Sequence, residues 1–407
     1  MTIVAEILDC MSGISNPQRN FFLTLVATML VTRTRINFMN LSRHSSVHEK
    51  TYRRHFRKPF AFARFNQLAM QRSLPAHHTK IFAQDASFSA KSGKHTYGLD
   101  QFWNGCASKV EKGLEVSLIS IVDVDANQGF ALSAHQTPPP SATPKTEQTA
   151  TRIDFYLEHL HQTAPYFPPS VKYGVFDGAY AKQKFVTGVC ALGYHVVSKL
   201  RADANLLYLY QGAQKPRGRR RQFDGKVSLA DLTRFEKTAT DSPHLTLYSV
   251  VVWSVSLQRR LRVVVVVNTK APAKPRYVVL FSTDTELCAA DIFRFYKARF
   301  QIEFIFRDAK QFAGFSECQA RDQAALHYHF NASVTVVNVA RLMAQAEQQQ
   351  RAEQTEEKLV FSMTSIKQRL FNEHLLDLII SKLGLDQSAV KNHPQFEYLR
   401  NYAARAA

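Results

Sequence analysis

The pattern that most narrows the fold is a change of hydrophobic period near residue 80. Before it, apolar residues recur at helical spacing, through Phe21–Val31 and again around Phe56–Met70. After it come three strand-like runs, Lys80–Phe88, Leu114–Val124 (LEVSLISIVDV) and Gly129–His135, the last two joined by a tight turn at Asp125–Gln128. A proline-rich loop follows, with prolines at 138, 139, 140 and 144. The rhythm then alternates: helix Arg152–His161, strand Val171–Asp177, helix Lys182–Leu192, strand His195–Leu200. Three antiparallel strands followed by helix–strand alternation predict one sheet with helices packed on it.

That order is the one expected of an α/β, RNase H-like core. After Arg201 the helical signal stops for about eighty residues. Leu245–Val255 and Leu261–Val267 read as a long hairpin and Tyr277–Ser282 as a further strand, so an all-β insertion is expected over 203–284. The insertion carries the basic loop KPRGRRRQF, Lys215–Phe223. Helical spacing returns at Ala289 and continues to the end, past a Gln/Glu-rich patch at 345–358. The expected organisation is a helical DNA-binding region (1–78), the core in two parts (79–202 and 285–345) around the insertion, and a helical C-terminal region (346–407).

Lys and Arg number 52 against 33 Asp and Glu, a net charge of +19, which points to a polyanionic partner. The charge is uneven. Between Arg43 and Lys80 nine cations face Glu49 alone. Asn40–Phe56 reads as a short helix, a Ser-rich turn with Ser45 or Ser46 as N-cap, and a basic helix. Arg53, Arg54 and Arg57 on that helix are candidate phosphate contacts. The five cysteines form no CxxC pair, which fits a reducing, cytoplasmic setting. The apolar run Phe21–Val31 is too short to span a bilayer, so no membrane partner is expected.

The most informative segment is Ala289–Phe312, read as one helix. At 100° per residue, Tyr296, Arg299, Glu303, Arg307 and Lys310 fall within about 80° of arc. Phe295, Ile302, Ile305, Phe306, Ala309 and Phe312 cover the opposite side. A lone carboxylate ringed by cations and a phenol suits a site that holds phosphate and metal together. Asp85 lies inside a strand (IFAQDASF) and Asp177 ends another (YGVFDGAY). An isolated Asp there is costly unless paired, hydrogen-bonded or metal-bound. With Glu303 they would make a Mg²⁺ site of hard oxygen ligands. Two such ions could drive an in-line displacement at phosphorus.

Tyr296-x₂-Arg299-x₃-Glu303-x₆-Lys310 resembles the YREK signature of DDE transposases from bacterial insertion sequences, the group typified by insertion sequence four and transposon five. The order Asp, Asp, β-rich insertion, Glu is similar too, and the resemblance covers roughly residues 40 to 340. It implies an RNase H-like core with a β insertion between the second Asp and the Glu. It implies that Asp85, Asp177 and Glu303 are catalytic and hold two Mg²⁺ ions, for which Mn²⁺ would substitute. Tyr296, Arg299 and Lys310 would grip phosphates near the cleaved end, with Arg307 on the same face. The reaction implied is cut-and-paste transposition in a bacterial cytoplasm, close to the nucleoid. Its partners would be double-stranded inverted-repeat ends and target DNA, with a homodimer in the DNA complex. In some members an insertion-domain Trp stacks on a flipped base. Trp253 lies in the matching region, within an apolar strand, so core packing is its other reading.

Other polar residues read as structural. Asp123 and Asp125 are expected as turn formers, Asp100 and Trp103 in loops, and His77–His78 as a loop pair without a partner. His327 and His329 point to different sides of one helix. Two rival functions stay open: a DNA-binding repressor or domesticated transposase that does not cleave, and an RNase H-like nuclease without strand transfer.

Overall fold

A computed structural model describes residues 1–139, 150–270, 276–352 and 361–404. Twelve strands form one mixed sheet: β1 Lys80–Ala90, β2 Asp100–Asn104, β3 Lys109–Asp123, β4 Gln128–Gln136, β5 Tyr173–Val175, β6 His195–Leu200, β7 Leu206–Leu209, β8 Phe223–Lys226, β9 Glu236–Ala239, β10 Leu245–Ser254, β11 Arg259–Asn268 and β12 Arg276–Ser282. The path runs β2-β3-β1-β5-β6-β12-β11-β10-β7-β8, with β4 on β3 and β9 on β10. The segment β4-β3-β1 is antiparallel, and β1, β5 and β6 are parallel. This is the RNase H-like arrangement expected. The β insertion continues the same sheet, because β12 pairs antiparallel with β6.

Five helices precede the sheet: α1 Thr2–Asp9, α2 Asn16–Val31, α3 Phe38–Arg43, α4 Glu49–His55 and α5 Phe62–Ser73. Within and after it come α6 Arg152–Thr163, α7 Gln183–Ala191, α8 Ala289–Ala298, α9 Gln301–Phe312, α10 Gln323–Ala352, α11 Met363–Leu383, α12 Gln387–Lys391 and α13 Phe396–Arg400. Residues of α1–α5 belong to the same apolar cluster as the sheet, from Phe22 and Phe65 to Ile119 and Val336. No helix among the described residues is long and apolar enough to cross a membrane.

A buried sheet edge must satisfy its free backbone groups. Strand β4 does so with asparagines. The Asn331 side chain accepts from Ala134 N at 2.9 Å and donates to Ala134 O at 2.7 Å. Two turns further along α10, Asn338 does the same to Ala131. Asn66 of α5 donates to Leu132 O at 3.1 Å and accepts from Asn338. The edge is thereby sealed by two helices from opposite ends of the chain.

Several expectations need correction. The predicted single helix 289–312 is two, α8 and α9. At the junction the hydrogen bonds tighten to i→i−3, Ile302 N to Arg299 O and Glu303 N to Phe300 O. The strand expected over 171–177 is only Tyr173–Val175, so Asp177 lies just past its end. Trp103 and Asp100 sit in strand β2, and Trp103 is 56% exposed. The cap of α4 is His48, whose Nδ1 accepts from Lys50 N, and neither Ser45 nor Ser46 serves. His78 does have a partner, Asp123, at 2.7 Å. Of the proline-rich loop, 140–149 lie outside the described residues, as do 353–360 of the Gln/Glu-rich patch.

Three imidazoles meet in the core beneath β3 and β4. His135 stacks on His159 at 4.2 Å, and His327 packs edge-on against His135 at 5.1 Å. His159 has a Ser hydroxyl on each nitrogen, Ser117 and Ser133. Burial, and then repulsion between the rings, lowers the pKa of His135 to about 4 and holds His159 well below its ordinary value; burial alone lowers His327. Depressed folded-state values mean that the unfolded chain takes up protons the folded chain refuses. Their contribution is fully present above about pH 6.5 and falls away as pH drops toward 4. Each imidazole should steepen that loss by up to about 1.4 kcal/mol per pH unit. Melting curves between pH 4 and 7 for the wild type and His135→Phe test this, and equal pH slopes would contradict it.

Candidate active site

The offset that pairs Phe82 with Gly174 and Ala83 with Val175 carries Asp85 to Asp177 on the neighbouring parallel strand line. Adjacent strands lie about 4.8 Å apart, and the two carboxylates are near enough for the charge of Asp177 to act on Asp85. Gly174 permits this closeness: a Cβ there would collide with the rings of Phe82 and Phe176. Asp85 sits in mid-strand opposite Leu118, and Asp177 leads a 3₁₀ turn, Gly178–Tyr180.

The third acid arrives from the helix pair. α8 packs on β6, β10, β11 and β12, while α9 packs on β1, β3 and β4. The tightened turn between them therefore crosses the sheet above β1 and β5. Ile302, Ile305 and Ala309 anchor α9 at 0% exposure, each Ile contributing roughly 1.5–3 kcal/mol by burial. Glu303 is held in the first turn of α9, where the helix dipole favours a carboxylate.

Arg299 stands at the junction and links the acids. Its guanidinium lies 2.9 Å from Glu303 and 3.9 Å from Asp85. It is nearly buried, and its Nε has no hydrogen-bond partner among the described residues. The carboxylates around it raise its pKa against the opposing effect of burial. Asp85 is pushed up to about 6, by burial first and also by the charges of Asp177 and Glu303, although Ala86 N and Arg299 pull the other way. Tyr296 is half-buried, with the Arg299 guanidinium 5.6 Å from its ring centre. Burial raises its pKa; Arg299 opposes this, and Asp177 and Glu303 add to it. Lys310 reaches β1, donating to Ser87 Oγ and Phe88 O, both at 2.8 Å. Ser87 shares the strand face of Asp85.

The remaining expected contacts lie elsewhere. Arg307 is turned away: it pairs with buried Asp308 at 2.9 Å, stacks on Phe304 and lines a cavity of about 600 Å³ between α9, α10 and α11. Arg307 and Glu303 are one turn apart on the same helix, α9, so it is the side chain, drawn to Asp308, and not the backbone that turns away from the position a wheel gives it. Trp253 is half-buried on β10, 5.9 Å from the Phe223 ring and across from Arg260. Arg53, Arg54 and Arg57 are exposed, but Arg53 pairs with Glu49 at 2.6 Å and Arg57 with Asp322 at 3.2 Å.

Sequence reasoning passed over Tyr180. Its hydroxyl is buried without a hydrogen-bond partner among the described residues, and burial together with the charge of Asp85 raises its pKa. Its place three residues after Asp177 was the available signal.

The donors suit a divalent cation. They are hard carboxylate oxygens, their mutual repulsion shows in Asp85, and one guanidinium already serves as their countercharge. A tighter group, His78, Asp123 and Asp125, brings its ligand atoms within 4.8 Å of one another. Its atoms are engaged inside the fold. Asp123 accepts from the turn amides of Asp125 and Ala126, and Asp125 from Thr79 N and Arg294. As expected of turn formers, they lock the β3–β4 turn.

The transposase DDE domain family matches residues 74–339, from just before β1 into α10. No curated protein matches the chain.

Proposed function

Since the chain belongs to the transposase DDE domain family, we propose that it is a cut-and-paste transposase of the YREK group, with Asp85, Asp177 and Glu303 as its metal-binding catalytic acids. The observation that carries this reading is the single guanidinium, Arg299, that joins Asp85 of β1 to Glu303, with Asp177 just past the end of the neighbouring β5. The family implies a divalent metal, and two Mg²⁺ ions, or Mn²⁺ in their place, fit the oxygen donors. Bound there, the ions would supply Lewis acidity for attack by water or a 3′-hydroxyl on phosphorus and for departure of the leaving oxygen. The chain's own part is positional. The acids fix where charge is neutralised, Arg299 can turn its fork to a phosphate once the acids are otherwise paired, and Tyr296 and Lys310 flank the approach. The DNA substrates proposed are the element's inverted-repeat ends and a target duplex, joined in a homodimeric complex in a bacterial cytoplasm.

The direct test uses the full chain, Mg²⁺ and a duplex carrying the element's terminal repeats. Double-strand cuts at the ends followed by joined products are expected. Scattered nicking without joining would favour the nuclease reading, and binding without cutting the repressor.

The basic helix α4 lies outside the family match and is proposed as an end-binding element. Arg54 is exposed and makes no ion pair among the described residues, whereas Arg53 and Arg57 each have one. Arg54→Ala should therefore weaken duplex binding most of the three. Replacing all three should flatten the salt dependence by about 0.9 for each phosphate they neutralise. An unchanged slope would make α4 a solvated surface helix.

A further inference from the structure

The basic loop of the insertion plays no part in the site above. It joins β7 to β8, and residues 211–220 are all exposed. Its neck is clamped. The Gln214 side chain donates to Arg221 O at 2.8 Å and accepts from Arg221 N at 2.9 Å, and the Tyr210 hydroxyl donates to Ala213 O. The cations of the neck are spoken for. Arg221 pairs with Asp224 and stacks on Tyr210, while Arg234 pairs with Asp224 and stacks on Tyr208 at 3.8 Å. The tip is different. Lys215, Arg217, Arg219 and Arg220 make no hydrogen bond or ion pair among the described residues. Gly218, at φ +100°, provides the left-handed turn that presents them together.

Four like charges within six residues repel one another and gain little from the fold. A partner with closely spaced negative charge relieves that repulsion. From β1 to β8 the sheet path takes seven strand spacings, at most about 34 Å at about 4.8 Å each because strand twist shortens the straight line. A duplex rises about 3.4 Å per base pair, so that limit is about ten base pairs, or one helical turn. One turn returns the same backbone to the same side. A membrane surface fits less well, because Gln211, Gly212, Ala213 and Gln214 offer no apolar wedge beside the cations.

We infer that the Lys215–Arg220 tip is a second duplex-binding surface, gripping phosphates within about one helical turn of the acid trio. This rests on the reading of the chain as an enzyme acting on DNA.

The test is equilibrium binding of the full chain to an arbitrary duplex of about 30 base pairs, without metal, at salt from about 50 to 200 mM. The variant K215A/R217A/R219A/R220A should bind at least tenfold more weakly at low salt. Its log K against log salt should be shallower by about three to four. Changing the three arginines to lysine should keep the slope, since charge rather than fork geometry is at work. If the fourfold variant melts early, R219S/R220S should still show about half the change. A wild-type slope in a folded alanine variant overturns the inference, as does a loss confined to phosphatidylserine vesicles. A wild type that binds with the steep slope, and loses it in the loop variant, yet never cuts end-bearing DNA with Mg²⁺, supports the loop surface and overturns the transposase reading alone.

Discussion

Asp85→Ala, Asp177→Ala and Glu303→Ala should each reduce strand cleavage by about 10³-fold or more, with duplex binding expected within about twofold of the wild type. The size follows from what one carboxylate does in such a site. In the proposed site it would help hold the ions that activate the attacking oxygen and stabilise the leaving oxygen. Losing several kcal/mol of transition-state stabilisation costs about a factor of ten per 1.4 kcal/mol. Binding should survive because the exposed cations proposed to hold the duplex, on α4 and the insertion loop, are other side chains than the acids. Asp85→Asn adds a second readout. Burial and two neighbouring carboxylates disfavour the Asp85 charge. Removing it should raise the melting temperature of the metal-free protein even as cleavage is lost, the trade expected where function holds like charges together. A gel assay on end-bearing duplex, with melting curves alongside, decides both points. Near wild-type cleavage by any one variant removes that residue from the site.

The sheet was legible because its strands are written in β-branched and aromatic residues. LEVSLISIVDV is buried along its whole length in β3 and can hardly be anything but an interior strand. Both aspartates were visible for the same reason, as single charges in apolar surroundings. Their adjacency was not, since register between β1 and β5 depends on ring packing around Gly174, which no local pattern encodes. The junction at Arg299–Phe300 carries neither Gly nor Pro. Nothing in the helical pattern marks it, and the turn of the Arg307 side chain to Asp308 is a contact that a wheel, which places only Cβ directions, does not give. Strand β2 was missed because DQFWN is short, polar at both ends and paired to only one end of β3. The i,i+4 pair Glu49–Arg53 could be read from spacing. Arg57–Asp322, His78–Asp123 and the asparagine seal on β4 join residues from 45 to 272 positions apart, and only the folded chain brings them together.

Arg299 lies between Asp85 and Glu303 and offsets their charge as a cation would. It holds Asp85 and Glu303 together, and a divalent ion entering among these oxygens must share them with the guanidinium or displace it. Two unit charges about 4 Å apart interact by about 4 kcal/mol at an effective dielectric of 20, so the competition is strong even after screening. Arg299→Ala should therefore tighten Mn²⁺ binding, by about tenfold or more, and lower the melting temperature of the metal-free chain by leaving the acids uncompensated. Cleavage should nonetheless fall by about 10²-fold or more, because the fork proposed to grip a phosphate oxygen pair would be gone. Arg299→Lys keeps the charge without the fork. It should hold melting temperature and Mn²⁺ affinity near wild type and still lose most of the cleavage. Calorimetric titration of Mn²⁺ into the three proteins, read beside the cleavage assay, separates the roles. Weaker Mn²⁺ binding in Arg299→Ala would mean that the arginine organises the acids for metal rather than competing for them. Full cleavage by Arg299→Lys would mean that its charge alone suffices at the phosphate.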